Sequence, residues 1–350
     1  MSEIRGIRVA AVLEFFRTHV PDASDVDALD FELIGDGRSN ITYRVSAGER
    51  SWVLRRPPLG HVLPTAHDMV REFRVIAALA DTPVPVPRAI ALCEDTSVND
   101  APFYVMEYTP GVIVGGTELP GGFAEKPAER RAMGLALVDT LVALHAIDPE
   151  TVGLGTFGRP QGYVERQVKR WSQQWERSST GPLPEIDELI RRLRAALPES
   201  PAPAIVHGDY RLGNMALDPA DPSRVIAVFD WEMATLGDPL ADLGYTLIYW
   251  ADPGEPAARL GSVVSGPGML TRAEIVTEYA QRSGRNVSAV DFYQVLALYK
   301  LAIISEGIYA RFVAGQTLGD KFKGTTRRTG ALVQRALSIA DASDDAKLRG

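Results

Sequence analysis

The chain of 350 residues contains a single cysteine, Cys93, so it cannot form an internal disulfide. One thiol fits a reducing cytoplasm, and the ordinary interpretation of Cys93 is a small buried apolar side chain. No apolar run approaches the ~18 residues that a transmembrane helix requires. Residues 1–20 mix charged and apolar side chains at helical spacing, unlike a secretion signal. These absences predict a cytoplasmic protein that does not bind a membrane.

Positive charge is also in short supply, since the formal net charge is -8. Nucleic-acid binding needs clustered positive charge, so no nucleic-acid partner is expected, although global charge says little about one cleft. The sequence also lacks a G-x-x-x-x-G-K-[ST] segment, which disfavours a P-loop NTPase. What remains is a globular chain with 45% hydrophobic residues, enough for about two domains at ~150 residues each.

The secondary-structure pattern changes along the chain. Alternating apolar segments predict strands near residues 31–34, 41–45, 51–55 and 103–108. One helix is predicted to start at residues 65–68, with its apolar stripe within residues 69–77. From residue 127 onward, apolar residues recur at helical spacing, and Thr271 with Glu274 resembles a capping box. The fold class is therefore α+β. We expect an N-terminal lobe over residues 1–108 and a C-terminal lobe over residues 109–350.

The most informative motif lies in the second region. Val206-His207-Gly208-Asp209-Tyr210-Arg211-Leu212-Gly213-Asn214 is followed, after a predicted hairpin, by Val228-Phe229-Asp230. This is the order and spacing of H-x-D-x-x-x-x-N and a following D-x-x in kinases. There the first Asp accepts the proton of the attacking hydroxyl, and the Asn and second Asp hold magnesium on ATP. Asp209 is thus the candidate catalytic base, and Asn214 and Asp230 are the candidate metal ligands.

Two neighbours of this motif have more than one interpretation. His207 could transfer protons, but a kinase-type mechanism already has its base in Asp209, so a role in positioning the loop is favoured. Asp242 could be a third metal ligand. A carboxylate that braces the loop through backbone N–H groups is the favoured interpretation.

The chain resembles the aminoglycoside phosphotransferase (APH) and choline kinase-like family over nearly its whole length. Six segments most resemble the branch related to kinase domains fused to acyl-CoA dehydrogenases: 35–43, 53–58, 106–111, 162–177, 207–214 and 230–245. This resemblance implies a protein-kinase-like two-lobed fold, with an antiparallel-sheet N-lobe containing one main helix and a mostly helical C-lobe. It also implies ATP in the cleft, with the backbone of Glu107, Tyr108 and Thr109 meeting adenine.

The chain departs from the usual kinase pattern on its third predicted strand. Kinases have a lysine there that grips the phosphates and pairs with a glutamate on the next helix. The matching residue is Arg55, which strand alternation directs to the face opposite Arg56 and therefore toward the cleft. Glu72 is its expected partner. An arginine fork is bulkier and differently aimed than an ammonium, and an exposed strand arginine is the alternative interpretation.

The predicted phosphate loop is the second departure. Gly35-Asp36-Gly37-Arg38-Ser39-Asn40 lacks the third glycine of G-x-G-x-x-G. Its backbone at Gly37 and the side chain of Ser39 could still cover phosphates, while Asn40 shapes the turn. These three residues join Arg55 and Glu72 as the expected nucleotide-binding set.

The resulting prediction is a magnesium-dependent kinase that transfers the gamma-phosphoryl of ATP, or GTP, to a hydroxyl of a small molecule. A helix over residues 162–177 carries Tyr163, Trp171 and Trp175 and is a candidate wall for the acceptor, although aromatics at this spacing also fit a core. The alternative is a non-catalytic nucleotide-binding pseudokinase module. A protein acceptor is disfavoured because the interval from Asp230 to Asp238 is too short for an activation segment.

Overall fold

A computed structural model describes residues 4–34, 40–59, 67–115, 119–252, 255, 266–313 and 328–350. A five-stranded antiparallel sheet, in the order β1-β2-β3-β5-β4, dominates the first part of the chain. Its strands are β1 (Asp30–Ile34), β2 (Ile41–Ala47), β3 (Arg50–Arg56), β4 (Ala89–Cys93) and β5 (Phe103–Glu107). Three helices accompany it: α1 (Val9–His19), α2 (Met69–Leu79) and the short α3 (Thr96–Asn99).

The two faces of this sheet bury different cores. Residue alternation places Trp52 and Leu54 of β3 against α1, in one cluster of buried side chains. Val53 of the same strand faces α2, in a second cluster that includes Val75 and Ile76. Each fully buried aliphatic side chain of this kind contributes about 1.5–3 kcal/mol to folding. Because Arg55 shares the face of Val53, the sheet directs it toward α2 and away from α1.

The rest of the chain is mainly helical, as expected from its apolar spacing. Pro127 occupies the first turn of the long helix that begins there, a position that does not require a backbone N–H. The helices of this part are α4 (Pro127–Ala146), α5 (Tyr163–Ser178), α6 (Pro184–Ala195), α7 (Leu240–Tyr249), α8 (Arg272–Ser283), α9 (Val290–Val313), α10 (Thr329–Ala342) and α11 (Ala346–Arg349).

Two short antiparallel pairs interrupt the helices. Strand β6 (Ala204–Val206) pairs with β9 (Thr235–Gly237), and β7 (Met215–Asp218) pairs with β8 (Asp221–Val228). The second pair is the predicted hairpin, although β8 begins before the expected position near residue 225. Single turns of 3-10 helix, Leu212–Asn214 and Trp231–Met233, flank the hairpin. Within the described part of the chain, every helix is too short or too polar to cross a bilayer.

Candidate active site

The segment between β6 and β7 carries Asp209 and Asn214. It leaves the strand through Gly208, whose φ of +86° lies in the left-handed region. The 3-10 turn then places Asn214 so that its side-chain Nδ2 donates to the carboxylate of Asp209 at 2.7 Å and to the Asp209 backbone carbonyl at 2.8 Å. These two bonds use the nitrogen of Asn214, which leaves its side-chain oxygen as the atom able to bind a cation.

Asp230 reaches the same place from the other end of the hairpin. The N–H of Phe229 donates to the carbonyl of Asn214 at 2.8 Å, so the two ends of the hairpin are joined directly. Asp230 follows with a φ of +65°, a left-handed conformation that non-glycine residues seldom adopt. The structure thus brings Asp209, Asn214 and Asp230 together, and the backbone bond at Phe229 explains why.

His207 holds this arrangement through both ring nitrogens. Its Nε2 lies 2.8 Å from the Phe229 carbonyl oxygen, which can only accept, so the proton is on Nε2. Its Nδ1 then accepts from the backbone N–H of Asp209 at 3.2 Å. With both nitrogens occupied, His207 positions the loop, which is the role favoured from the sequence.

Asp242, at the start of α7, braces the loop from below. Its carboxylate is fully buried and accepts the backbone N–H groups of His207 and Gly208, each at 2.7 Å. His145 lies 3.4 Å from the same carboxylate. Burial alone would raise the pKa of Asp242, but the hydrogen bond and charge of His145, with the backbone donors, hold it below its usual value. The geometry is that of a structural carboxylate.

Arg55 crosses the cleft from the sheet to the hairpin. Its Nε lies 2.9 Å from Oε1 of Glu72, and its Nη2 contacts Asp230. The Nε–Oε1 pair is close but not aligned as a hydrogen bond, so charge attraction holds it. Glu72 is 1% exposed, and its burial raises the pKa of its carboxyl while Arg55 opposes that shift. Arg55 is therefore not the exposed strand residue of the alternative interpretation.

A second link across the cleft comes from Asn40. Its Nδ2 donates to Glu232 at 3.1 Å and to Glu72 at 3.3 Å, while its Oδ1 lies 2.8 Å from Nδ1 of His67. Glu232 also lies 3.9 Å from Nη2 of Arg55. Burial is the main cause that raises the pKa of Asp230, and the charge of Glu232 raises it further. The charge of Arg55 acts in the opposite direction. The preceding loop residues Gly37 and Ser39 lie outside the described residues.

The predicted adenine-binding segment follows strand β5, where the chain passes from the sheet to the helical part. Glu107 ends β5 and pairs in register with Trp52, and its backbone N–H donates to the Arg88 carbonyl at 2.9 Å. The Glu107 side chain is exposed. Tyr108 and Thr109 follow, and the guanidinium of Arg44 lies 4.5 Å from the centre of the Tyr108 ring.

Close to the loop that carries Asp209 lie Lys300, which the sequence motifs did not indicate, and Trp171, which belongs to the candidate acceptor wall. Lys300 of α9 donates to the Gly208 carbonyl at 2.9 Å, and its ammonium lies 4.9 Å from the Tyr245 ring and 6.0 Å from the Trp171 ring. Burial lowers its pKa, although Asp209 and Asp242 oppose the shift. A cavity of about 40 Å³ adjoins these groups, with Tyr163 in its wall.

The comparisons with known proteins agree with this geometry. The sequence model of APH, the phosphotransferase enzyme family, matches residues 30–274. Acyl-CoA dehydrogenase family member 10 of Mus musculus is 36% identical over 310 residues, which cover 87% of this chain and 28% of that relative. The chain belongs to the APH phosphotransferase family. The resemblance to its branch found in acyl-CoA dehydrogenase family members is confirmed, and the chain spans about a quarter of that relative's length.

Solved structures show the same fold. A Ralstonia eutropha protein that carries a provisional aminoglycoside phosphotransferase name is 32% identical, with a TM-score of 0.81, covering 96% of this chain and 99% of that one. A ternary complex of APH(4)-Ia with AMP-PNP and hygromycin B is 14% identical, with a TM-score of 0.61, covering 96% and 99%. The predicted protein-kinase-like α+β fold is confirmed.

Proposed function

We propose that this chain is a magnesium-dependent kinase that moves the gamma-phosphoryl of ATP, or GTP, to a hydroxyl of a small molecule. The observation that carries the proposal is the convergence of Asp209, Asn214 and Asp230 around one hairpin. Membership of the APH family supports phosphoryl transfer, and a structure of the same fold holds AMP-PNP. We place the nucleotide-binding lobe at residues 1–108 and the catalytic lobe at residues 109–350.

The polar groups fit a magnesium site that the nucleotide completes. Asp230 supplies a carboxylate and Asn214 an amide oxygen, the hard oxygen ligands that magnesium prefers. Protein magnesium sites of this kind use one or two side chains and take other ligands from phosphates and water. Bound magnesium would neutralise charge on the transferring phosphoryl group.

The remaining residues divide between the nucleotide and the hydroxyl. Arg55 would hold the phosphates while Glu72 keeps it in place, and Gly37, Ser39 and Asn40 would cover them from the loop side. The backbone of Glu107, Tyr108 and Thr109 would meet adenine. Asp209 would orient the acceptor hydroxyl and accept its proton. Catalysis then rests on in-line positioning and on charge neutralisation in a partly buried site.

We place the acceptor in the region that adjoins Lys300, Tyr245 and Trp171. A relative of the same fold is solved with hygromycin B, which supports a small-molecule acceptor. The lysine donates to the carbonyl of Gly208, which directly precedes Asp209, and the centres of both aromatic rings lie within 6.0 Å of its ammonium. Antibiotic modification does not follow from the family, because the phosphoryl-transfer groups would be the same for any hydroxyl acceptor.

Two substitutions test the roles separately. Asp209→Ala should lower turnover at least about a hundredfold, the usual loss for a general base, and leave nucleotide affinity unchanged. Asp230→Ala should weaken binding of magnesium with AMP-PNP in titration calorimetry. Turnover is measured as ADP release with a library of hydroxyl metabolites. Full turnover by Asp209→Ala, or unchanged affinity of Asp230→Ala, would remove that residue from the mechanism.

A non-catalytic pseudokinase is the second candidate, and the observation that favours it is Arg55 in the lysine position. Arg55 replaces the usual lysine and contacts Asp230, and its planar fork is aimed differently from an ammonium. A site with this residue could bind nucleotide without catalysing phosphoryl transfer. Arg55→Lys separates the two functions. A parent that binds AMP-PNP without ADP release across the library, and a variant that gains release, would identify a pseudokinase. Release by the parent identifies an enzyme.

A further inference from the structure

Arg71 lies next to Glu72 on α2 but points to a different part of the molecule. Its Nη2 donates to the backbone carbonyls of Phe157, at 2.7 Å, and Ala234, at 3.1 Å. The guanidinium carbon lies 3.6 Å from the centre of the buried Phe157 ring. One planar side chain therefore makes two hydrogen bonds and a cation-π contact.

These partners lie close to the candidate metal ligand. Ala234 directly follows the 3-10 turn Trp231–Met233, which itself begins directly after Asp230. The loop of Phe157 packs on the same segment so closely that a Cβ on Gly158 would lie 2.6 Å from Thr235 Oγ1 and 2.7 Å from the Leu236 nitrogen. Arg71 thus fastens α2 to two segments that already pack together as one body.

Successive residues of a helix point about 100° apart, so Arg71 and Glu72 face different neighbours. Glu72 holds Arg55, while Arg71 holds the backbone beyond Asp230. Helix α2 therefore contacts both sides of the cleft: Glu72 contacts Arg55 on the sheet, and Arg71 contacts Ala234 in the segment after Asp230. Helix packing alone would leave α2 freer to slide, because apolar contacts are not directional.

We propose that Arg71 is a positioning residue of the nucleotide site, which fixes α2 against the segment after Asp230 so that Arg55 and Asp230 meet the nucleotide phosphates at a set separation. The proposal rests on the proposed function only in naming the nucleotide. The fastening of α2 itself can be measured without it.

Arg74 provides a matched control on the same helix. It is exposed, donates to the Gly153 carbonyl at 2.7 Å, and lies 6.0 Å from the Phe157 ring. It has the same residue type and lies on the same helix as Arg71, and it also donates to a backbone carbonyl, but its acceptor is Gly153 and, among the described residues, no bond joins it to the segment beyond Asp230. Arg74→Met should therefore change neither α2 mobility nor nucleotide affinity beyond the local loss of one bond.

The experiment compares Arg71→Met, Arg71→Lys and Arg74→Met with the parent by hydrogen–deuterium exchange and by titration calorimetry with magnesium and AMP-PNP. Arg71→Met should raise exchange in residues 69–79 and 230–237 and weaken nucleotide binding about tenfold, since it loses two hydrogen bonds from a charged donor. Arg71→Lys retains the charge and should give intermediate values, which also guards against a variant that does not fold.

The outcomes are distinct. Arg71 variants that match Arg74→Met in both exchange and affinity would overturn the proposal while leaving the kinase function in place. Absence of AMP-PNP binding by the parent would overturn the kinase function, and raised exchange in Arg71→Met would then still support the fastening of α2. If the parent does not bind AMP-PNP and Arg71→Met shows the same exchange as the parent, both the kinase function and the fastening of α2 would be overturned.

Discussion

At the scale of single residues, Gly208 connects three parts of the site. Its N–H donates to Asp242, its carbonyl accepts from Lys300, and its φ of +86° turns the chain toward Asp209. A Cβ at this position would lie 2.8 Å from both the Cβ and the carbonyl oxygen of Met233. Only glycine satisfies the conformation and the space together.

We predict that Gly208→Ala destabilises the protein by more than about 2 kcal/mol, because backbone strain and a clash with Met233 add together. The control is Gly48→Ala, which has a φ of +61° but nothing within 4 Å of the added Cβ. It should cost only about 1 kcal/mol, the ordinary penalty of the left-handed conformation. Urea unfolding measures both, and equal losses would mean that the contact with Met233 relaxes freely.

The sequence indicated the residues of the site whose spacing is local. Asp209 and Asn214 are five positions apart, and strand alternation directed Arg55 to the correct face. Lys300, by contrast, meets Gly208 across 92 positions, and Glu232 meets Asn40 across 192. No periodicity connects such pairs, because they arise from the packing of helices and lobes. The chemical roles of these residues stay predictions.

At the scale of elements, strands with clear alternation and helices with clear caps were predicted best. The strand at Phe103–Glu107 and the helix at Pro127–Ala146 lie where the pattern placed them. The three-residue strands β6 and β9 were missed, since each is too short for a pattern and exists only through their mutual pairing. These strands position the candidate site, because β6 ends directly before His207.

The N-terminal cap of α8 allows a prediction of whether a threonine-to-alanine substitution lowers or raises stability. Thr271 accepts from the Glu274 N–H at 3.1 Å, and the Glu274 carboxylate accepts from the Thr271 N–H at 2.8 Å. Thr271→Ala should therefore cost about 1 kcal/mol. Thr277→Ala, at an exposed position in the same helix, should instead raise stability slightly, because alanine has the higher helix propensity. Thermal unfolding that showed the same loss for both would contradict the capping role.

At the scale of the whole molecule, the site joins the sheet to the helical part. Arg55 lies in the five-stranded sheet and Asn40 directly precedes its strand β2, whereas Asp209, Asn214 and Asp230 come from the region around β6 to β8. A nucleotide bound between them, as proposed, would contact both parts and would bind only to the folded state. It should therefore stabilise the entire fold by mass action.

We predict that AMP-PNP with magnesium raises the melting temperature by a few degrees at about 100 times its dissociation constant. AMP-PNP with EDTA should raise it less, because Asn214 and Asp230 would then face the phosphates without a bridging cation. Asp230→Asn is the control and should lose most of the difference between the two conditions. Equal shifts with magnesium and with EDTA in the parent would argue against the metal role.

The hydrogen bond from the Phe229 N–H to the Asn214 carbonyl has a mechanical consequence. It ties Asn214 and Asp230, the two proposed cation ligands, to the ends of one hairpin, so a swing of the sheet relative to the helices would not separate them. Such a swing would instead draw Arg55 away from Asp230 and expose the phosphates to solvent. If the chain is the kinase proposed above, an opening of this kind during product release would weaken contacts to the nucleotide, while the two proposed oxygen ligands would stay together for the next one.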